Sequence, residues 1–322
     1  MAGFFFPSNY ITLNGINHVI VKGAPGKGVR NMSFWTNNRL SAFLIFLIFL
    51  LLMLIVNIIG NPKVFAYKTI RALAQIQLDL STHDFQKLQT GSFKIKYQEI
   101  PEESARLVAE TGKDIITPVN ELLQFTPQEK IPVIIYPSME SLNESFGWEG
   151  DKSPMGVYWL GTIRVLAPEA WLGEKDSETR ARIFKDMGPM AHEYVHYVVD
   201  YKTNGNYTRW FTEGIAQYIE KKITGFSLEE PTVEAKLNIY PFNKLDKDFD
   251  RQEDQDLAYW QSLIAVEYLV EKYEEPVITS LLDELGKGKS MAVAFEEVLG
   301  MSLHDFEEEV KKYAWNKALG EN

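Results

Sequence analysis

The spacing of hydrophobic positions changes character along this chain. From Ala42 to Ile59 every residue but Asn57 is apolar and none is charged, just long enough to cross a bilayer as a helix. Further on, Ser92-Phe-Lys-Ile-Lys-Tyr97 alternates apolar with polar side chains, and Ile131-Pro-Val-Ile-Ile-Tyr136 is a short run rich in β-branched residues. Both predict strands. Between them Ala105, Val108, Ile115, Val119, Leu122 and Leu123 recur at helical spacing, giving strand, helix, strand. Gly156-Val-Tyr-Trp-Leu160 and Thr162-Ile-Arg-Val-Leu166, parted by Gly161, predict a hairpin or one bent strand. After Pro168 the period turns helical, with helices expected near 177–202, 209–223, 255–273, 276–286, 290–299 and 303–315. Gly300 stops one and Ser302 caps the next. Residues 224–254 show no clear period and predict a loop. The elements together define an α+β chain.

The apolar run divides the chain into an N-terminal segment of residues 1–41, a membrane segment of 42–59 and a body of 67–322. The body is expected to be sheet-rich over 90–170, to carry two central helices within 177–223, and to be helical over 255–318. Met32 begins a short stretch, Met32-Ser-Phe-Trp-Thr-Asn-Asn-Arg39, that reads as a complete n-region, so residues 1–31 lie upstream of an alternative start. The run exceeds the usual core of a signal peptide, which favours an uncleaved anchor. Val64-Phe65-Ala66 nevertheless offers the small residues of a cleavage site, and cleavage after Ala66 would release the body. Positive charges flank the run on both sides: Lys22, Lys27, Arg30 and Arg39 before, Lys63, Lys68 and Arg71 after. The expected partner of residues 42–59 is a lipid bilayer, with the body outside the cytoplasm.

Charge and cysteine content narrow the chemistry. Of the net −11, residues 1–66 hold five positive and no negative charges, leaving −16 on the remainder. So acidic a body repels phosphate backbones, which argues against nucleic acid. The chain has no cysteine, so any metal must be held by His, Asp or Glu.

His192-Glu193-Tyr194-Val195-His196 places two of the five histidines four residues apart, one face of a helix and about 6 Å along its axis. Both imidazoles can then reach one ion. Met190, Ala191, Tyr194, Val195, Val198 and Val199 would embed this helix, with Pro189 in its first turn. The alternative for such a motif alone is two ordinary helix histidines and an exposed Glu. Two imidazoles leave a tetrahedral zinc one protein ligand short when a position is kept for water, and Trp210-Phe-Thr-Glu213-Gly-Ile-Ala-Gln-Tyr218 supplies a candidate carboxylate. Glu213 lies among apolar residues, where an unpaired charge would be costly.

These two motifs together resemble those of the gluzincin metallopeptidases, specifically the bacterial peptidase MA-like group, in which an HExxH helix precedes a W-x-x-E-G-x-A helix. The resemblance implies that His192, His196 and Glu213 hold one Zn2+ per chain, with Glu193 as general base. Zinc lowers the pKa of its water to roughly 7, and Glu193 would take the proton as the water attacks a peptide carbonyl. Tyr259, within Ala258-Tyr-Trp-Gln-Ser262, is the candidate donor to the oxyanion, against a reading as a packed aromatic. Gln217 and Asp200 are candidate outer partners of the imidazoles, against a reading as solvated helix residues. The implied fold is a thermolysin-like zincin: a small mixed sheet packed on the active-site helix, then a helical C-terminal half, with one transmembrane helix in front.

The implied substrate is a peptide or protein lying along an edge strand within Gly156–Leu166. No G-x-M-E-N string that would capture a free amine precedes His192, so endopeptidase is preferred over aminopeptidase. A membrane-tethered binding or scaffold module with a non-catalytic zinc site is the alternative. Glu193, which is not a ligand, has no purpose in such a module.

Overall fold

The computed structural model describes residues 45–47, 49–50, 62–148, 154–173 and 175–320. The segment 1–41, with Met32, lies outside them, as does most of the apolar run 42–59; its five described residues are helical and exposed. Among the described residues no helix is long and apolar enough to cross a membrane.

The body begins with a helix that the sequence pattern did not predict, α1 (Pro62–Ser81), whose first turn contains Val64-Phe65-Ala66. Five strands follow: β1 (Gln86–Gln89), β2 (Phe93–Tyr97), β3 (Ile131–Tyr136), β4 (Gly156–Trp159) and β5 (Thr162–Leu166). They form one sheet in the order β1-β2-β3-β5-β4, with β2, β3 and β5 parallel and the two outer strands antiparallel to their neighbours. The sheet is therefore small and mixed, and among the described residues β4 is an edge strand. The central strands are buried along nearly their whole length, as a parallel core covered on both faces requires. The crossover from β2 to β3 is α2 (Glu102–Leu123), which turns Ala105, Val108, Ile115, Val119 and Leu123 into the core. A short helix, α3 (Met139–Glu144), covers the other face near Ile134, Tyr136 and Leu166.

After α4 (Pro168–Leu172) the chain is helical. The stretch expected as one helix over 177–202 is two, α5 (Ser177–Met187) and α6 (Met190–Thr203). Pro189 is responsible: its ring disfavours a helical residue before it, and Gly188 is extended at ψ 159°. Helix α6 is buried on every face, packed between β4 and β5 on one side and the helices α7 (Arg209–Thr224) and α11 (Pro276–Gly286) on the other. Residues 224–254, expected as loop, contain α8 (Val233–Lys236), α9 (Phe242–Asp248) and a 3-10 turn at Phe249–Arg251. These pieces are too short to show a period, and they are held by tertiary contacts such as the stacking of Phe242 on Trp210, ring centres 4.2 Å apart. The remaining helices are α10 (Gln255–Tyr273), α12 (Met291–Leu299) and α13 (Leu303–Leu319), with Gly300 ending one and the Ser302 hydroxyl accepting from Asp305 N–H to cap the next.

Two glycines set how closely the elements meet. A Cβ on Gly156 would stand 2.5 Å from Pro189 Cβ and 2.9 Å from Glu193 Cγ, so the edge strand reaches the Glu193 turn of α6 only because this residue has no side chain. A Cβ on Gly214 would stand 2.2 Å from the carbonyl oxygen of Ser262 on α10, a backbone atom that cannot step aside. Gly214→Ala is accordingly expected to force α7 and α10 apart and to cost about 1–3 kcal/mol, as overpacking does. Denaturant unfolding of the two proteins under identical metal loading would measure it.

Candidate metal centre

Helix α6 carries His192, Glu193 and His196 on its buried surface, and α7 crosses it with Glu213 in its second turn. One ligand atom from each of His192, His196 and Glu213 lies within 4.8 Å of the other two, and all three side chains are buried. His192 Nε2 stands 3.2 Å from Glu213 Oε2, and His196 Nε2 stands 3.4 Å from Glu213 Oε1. The imidazole rings are 4.7 Å apart at a steep angle, as two histidines one helical turn apart would be when aimed at a common point.

The far side of each ring is occupied. His192 Nδ1 lies 3.0 Å from Glu220 Oε2 and His196 Nδ1 lies 2.7 Å from Thr212 Oγ1. A carboxylate at Glu220 accepts the Nδ1 proton of His192, so that with a cation bound the Nε2 lone pair would face the centre. Thr212 can accept the corresponding proton of His196. Glu213 is completed by Arg209 Nη1 at 2.6 Å from Oε1, and Arg209 Nε is 3.7 Å from Asp250. The donor set therefore fits a divalent cation: two imidazole nitrogens and a carboxylate, converging, buried, and held from behind.

Electrostatics follow from burial and these pairs. Burial opposes ionisation of Glu213, but Arg209 and the two imidazoles outweigh it and hold its carboxyl well below the usual range. Burial also opposes a charged His192, yet Glu220 and Glu213 overcome it and raise its pKa. His196, with burial dominant and no second carboxylate, is lowered to about 4. Glu193 is pushed up to about 7, chiefly by burial, while its carboxylate accepts the backbone N–H of Tyr158 from β4. Tyr259 is buried on α10, its hydroxyl pKa raised by burial and then by the charge of Glu213; Glu193, Asp250 and Arg209 also act on it. The fold thus brings all five candidates, His192, Glu193, His196, Glu213 and Tyr259, into one neighbourhood.

The two expected outer partners are placed elsewhere. Gln217 donates to the carbonyl oxygens of Glu213 and Tyr259, not to an imidazole. Asp200, one turn beyond His196, has moved along the helix to where α1 and the β4–β5 hairpin meet it, and accepts from Tyr67, Arg71 and Tyr158. Neither is solvated, since both are buried. The residues that do the work are Glu220 and Thr212, with Arg209 behind Glu213. Glu220 was findable: it follows Glu213 by seven residues, two turns along the same helical face. Thr212 and Arg209 gave no such signal, because their roles depend on how α7 crosses α6. Replacing Glu220 with Gln, or Thr212 with Val, is expected to weaken metal affinity roughly 10–100-fold without abolishing binding. Competition against a chromogenic chelator would read that loss.

Residues 180–316, which contain every member of this cluster, match the family model of the Peptidase MA superfamily. That match is in line with the resemblance carried by the two motifs. A curated relative, the uncharacterized protein YhcO of Bacillus subtilis (strain 168), is 24% identical over 204 residues, covering 59% of this chain and 60% of that one. A solved structure of a mutant two-domain M1 zinc metallopeptidase bound to L-arginine aligns at 15% identity and a TM-score of 0.33, covering 71% of this chain and 50% of the other. The chain spans less than two thirds of the length of either.

Proposed function

We propose that the chain is a membrane-anchored zinc-dependent peptidase of gluzincin type, in which His192, His196 and Glu213 hold one Zn2+ and Glu193 is the general base. The observation that carries this reading is the convergence of the three ligand atoms within 4.8 Å, one turn from the buried Glu193. A bound zinc ion supplies Lewis acidity and makes a water acidic enough to be deprotonated near neutral pH. Glu193 accepts that water's proton and afterwards returns it to the departing amine, a role suited to a carboxylate whose proton affinity burial has already raised. The hydroxyl of Tyr259 donates to the oxyanion that develops on the carbonyl oxygen, and burial keeps the phenol protonated for that purpose. The edge strand β4, joined to Glu193 through Tyr158 N–H, is where an extended peptide adds as a further strand.

The absence of a G-x-M-E-N string favours internal cleavage, and the apolar run 42–59 favours a single-pass anchor with the body outside the cytoplasm. Thermolysin-like topology is part of the same reading; the small mixed sheet and helical C-terminal half support it. The test uses the full chain in detergent: zinc content by elemental analysis, then hydrolysis of quenched peptides with free and with blocked N-termini. Zinc near one per chain with chelator-sensitive cleavage of blocked peptides is expected. Zinc without cleavage of any peptide would instead identify a binding module.

A further inference from the structure

Helix α1 carries its large apolar residues mainly on its outer face. Toward the body it turns Leu78 onto the Ile134–Leu142–Leu166 cluster and a set of polar groups: Tyr67 and Arg71 donate to Asp200, and Gln75 Nε2 donates to the carbonyl of Gly161 at 3.0 Å. Toward solvent it turns Phe65, Ile70, Leu73, Ile76 and Leu80, exposed by 52, 53, 60, 56 and 70%. At 100° per residue these five side chains fall within an arc of about 140° that Ala66, Thr69 and Gln77 complete, so the arc carries no charge at all. Single exposed apolar residues are ordinary, but a continuous exposed stripe on a helix held inward largely by polar contacts marks a surface that meets something apolar.

The chain itself says what that is. The apolar run ends at Ile59, three residues before Pro62, a reach of about 10 Å at most, so α1 starts at whatever level the run ends. No Asp or Glu occurs before Asp79; Lys63 borders the apolar arc on one side, and Lys68 lies on the other together with Asp79, which pairs with Lys94 and Lys96. A second copy of the helix would bring those lysines together while its one acidic residue, Asp79, is already held by Lys94 and Lys96, whereas an anionic headgroup layer takes them. Lysines placed beside an apolar arc can also bury their stems and keep their ammonium groups at the surface.

We propose that the outer face of Pro62–Ser81 lies in the interfacial layer of an anionic bilayer, a docking surface beyond the anchor itself. Because Tyr67 and Arg71 hold Asp200 of the His192–His196 helix, this contact fixes the metal centre at a set orientation to the membrane plane. The inference rests on the anchor reading for the proximity of the bilayer, and the experiment separates the two.

The chain has no cysteine, so single-cysteine variants carry one reporter each. Leu73→Cys, Ile70→Cys and Ile76→Cys, with Glu308→Cys as an exposed position on α13, are labelled with an environment-sensitive fluorophore in the full chain. Each is reconstituted into phosphatidylcholine–phosphatidylglycerol vesicles. Expected are a blue-shifted emission and several-fold stronger quenching by nitroxide-labelled lipid than by aqueous iodide at the three α1 positions, with the reverse at Glu308→Cys. Iodide quenching of the α1 positions at the level of Glu308→Cys overturns the proposal, and so does oxidative cross-linking of Leu73→Cys between copies without lipid quenching. Carbonate washing of the same vesicles reads the anchor separately. Extraction of the chain from vesicles in which α1 was lipid-quenched removes the anchor and keeps the interfacial helix; retention with iodide-quenched α1 does the opposite.

Discussion

Glu193→Gln is expected to keep zinc and to lose at least roughly a hundredfold in peptide hydrolysis, about 2.7 kcal/mol of transition-state stabilisation. The substitution is nearly isosteric, and Gln can no longer take a proton. The side chain is not among the three converging ligands, and its backbone lies in a helix buried on every face, so neither metal content nor fold has reason to change. Steady-state kinetics alongside elemental analysis would check both halves; wild-type turnover by the Gln variant would remove Glu193 from the mechanism. The acid limb of the wild-type rate follows from the same residue. Activity requires ionised Glu193, so the rate falls as pH drops through its pKa. Burial places that pKa at about 7 without a cation, and a divalent cation alongside lowers it, so the limb is expected below pH 7 and should vanish in what activity the Gln variant keeps.

Loss of a ligand should be more drastic. Glu213→Ala is expected to remove most of the bound zinc and with it all measurable hydrolysis, because two imidazoles remain where three protein ligands stood. It also strips Arg209 of the carboxylate 2.6 Å from its guanidinium, leaving the more distant Asp250 at 3.7 Å. A partly buried cation with its closer carboxylate gone is costly, so the Ala protein should unfold at lower temperature than wild type even when both are metal-free. Full zinc occupancy in the Ala protein would show that Glu213 is no ligand. Tyr259→Phe provides a contrast: it should spare the metal and lower kcat more than KM if the hydroxyl meets only the developing oxyanion.

Much of this arrangement could be read from the order of residues alone, for a definite physical reason. Helical periodicity is local, so four-residue spacing placed His192 and His196 on one side of a helix before any tertiary contact was known. Strand alternation at Phe93–Tyr97 and the β-branched run at Ile131–Tyr136 were equally local, as was the capping of the final helix by Ser302. Gly156 and Gly214 could be seen but not interpreted, since what a glycine permits is the approach of another element.

Only the tertiary structure decided which side chains stand behind the ligands. Glu220 and Thr212 reach the imidazoles because α7 crosses α6 at a particular height, and Asp200 is drawn off to Tyr67 and Arg71 because α1 packs there. Helix α1 gives no ordinary amphipathic signal, because its inward contacts are largely polar and most of its large apolar residues face outward. The sequence by itself determined the local period, the ligand types and the exclusion of thiolate chemistry. The meeting of Glu213 with two histidines some twenty residues earlier, and the outward apolar face of α1, depended on contacts between elements that no local spacing encodes.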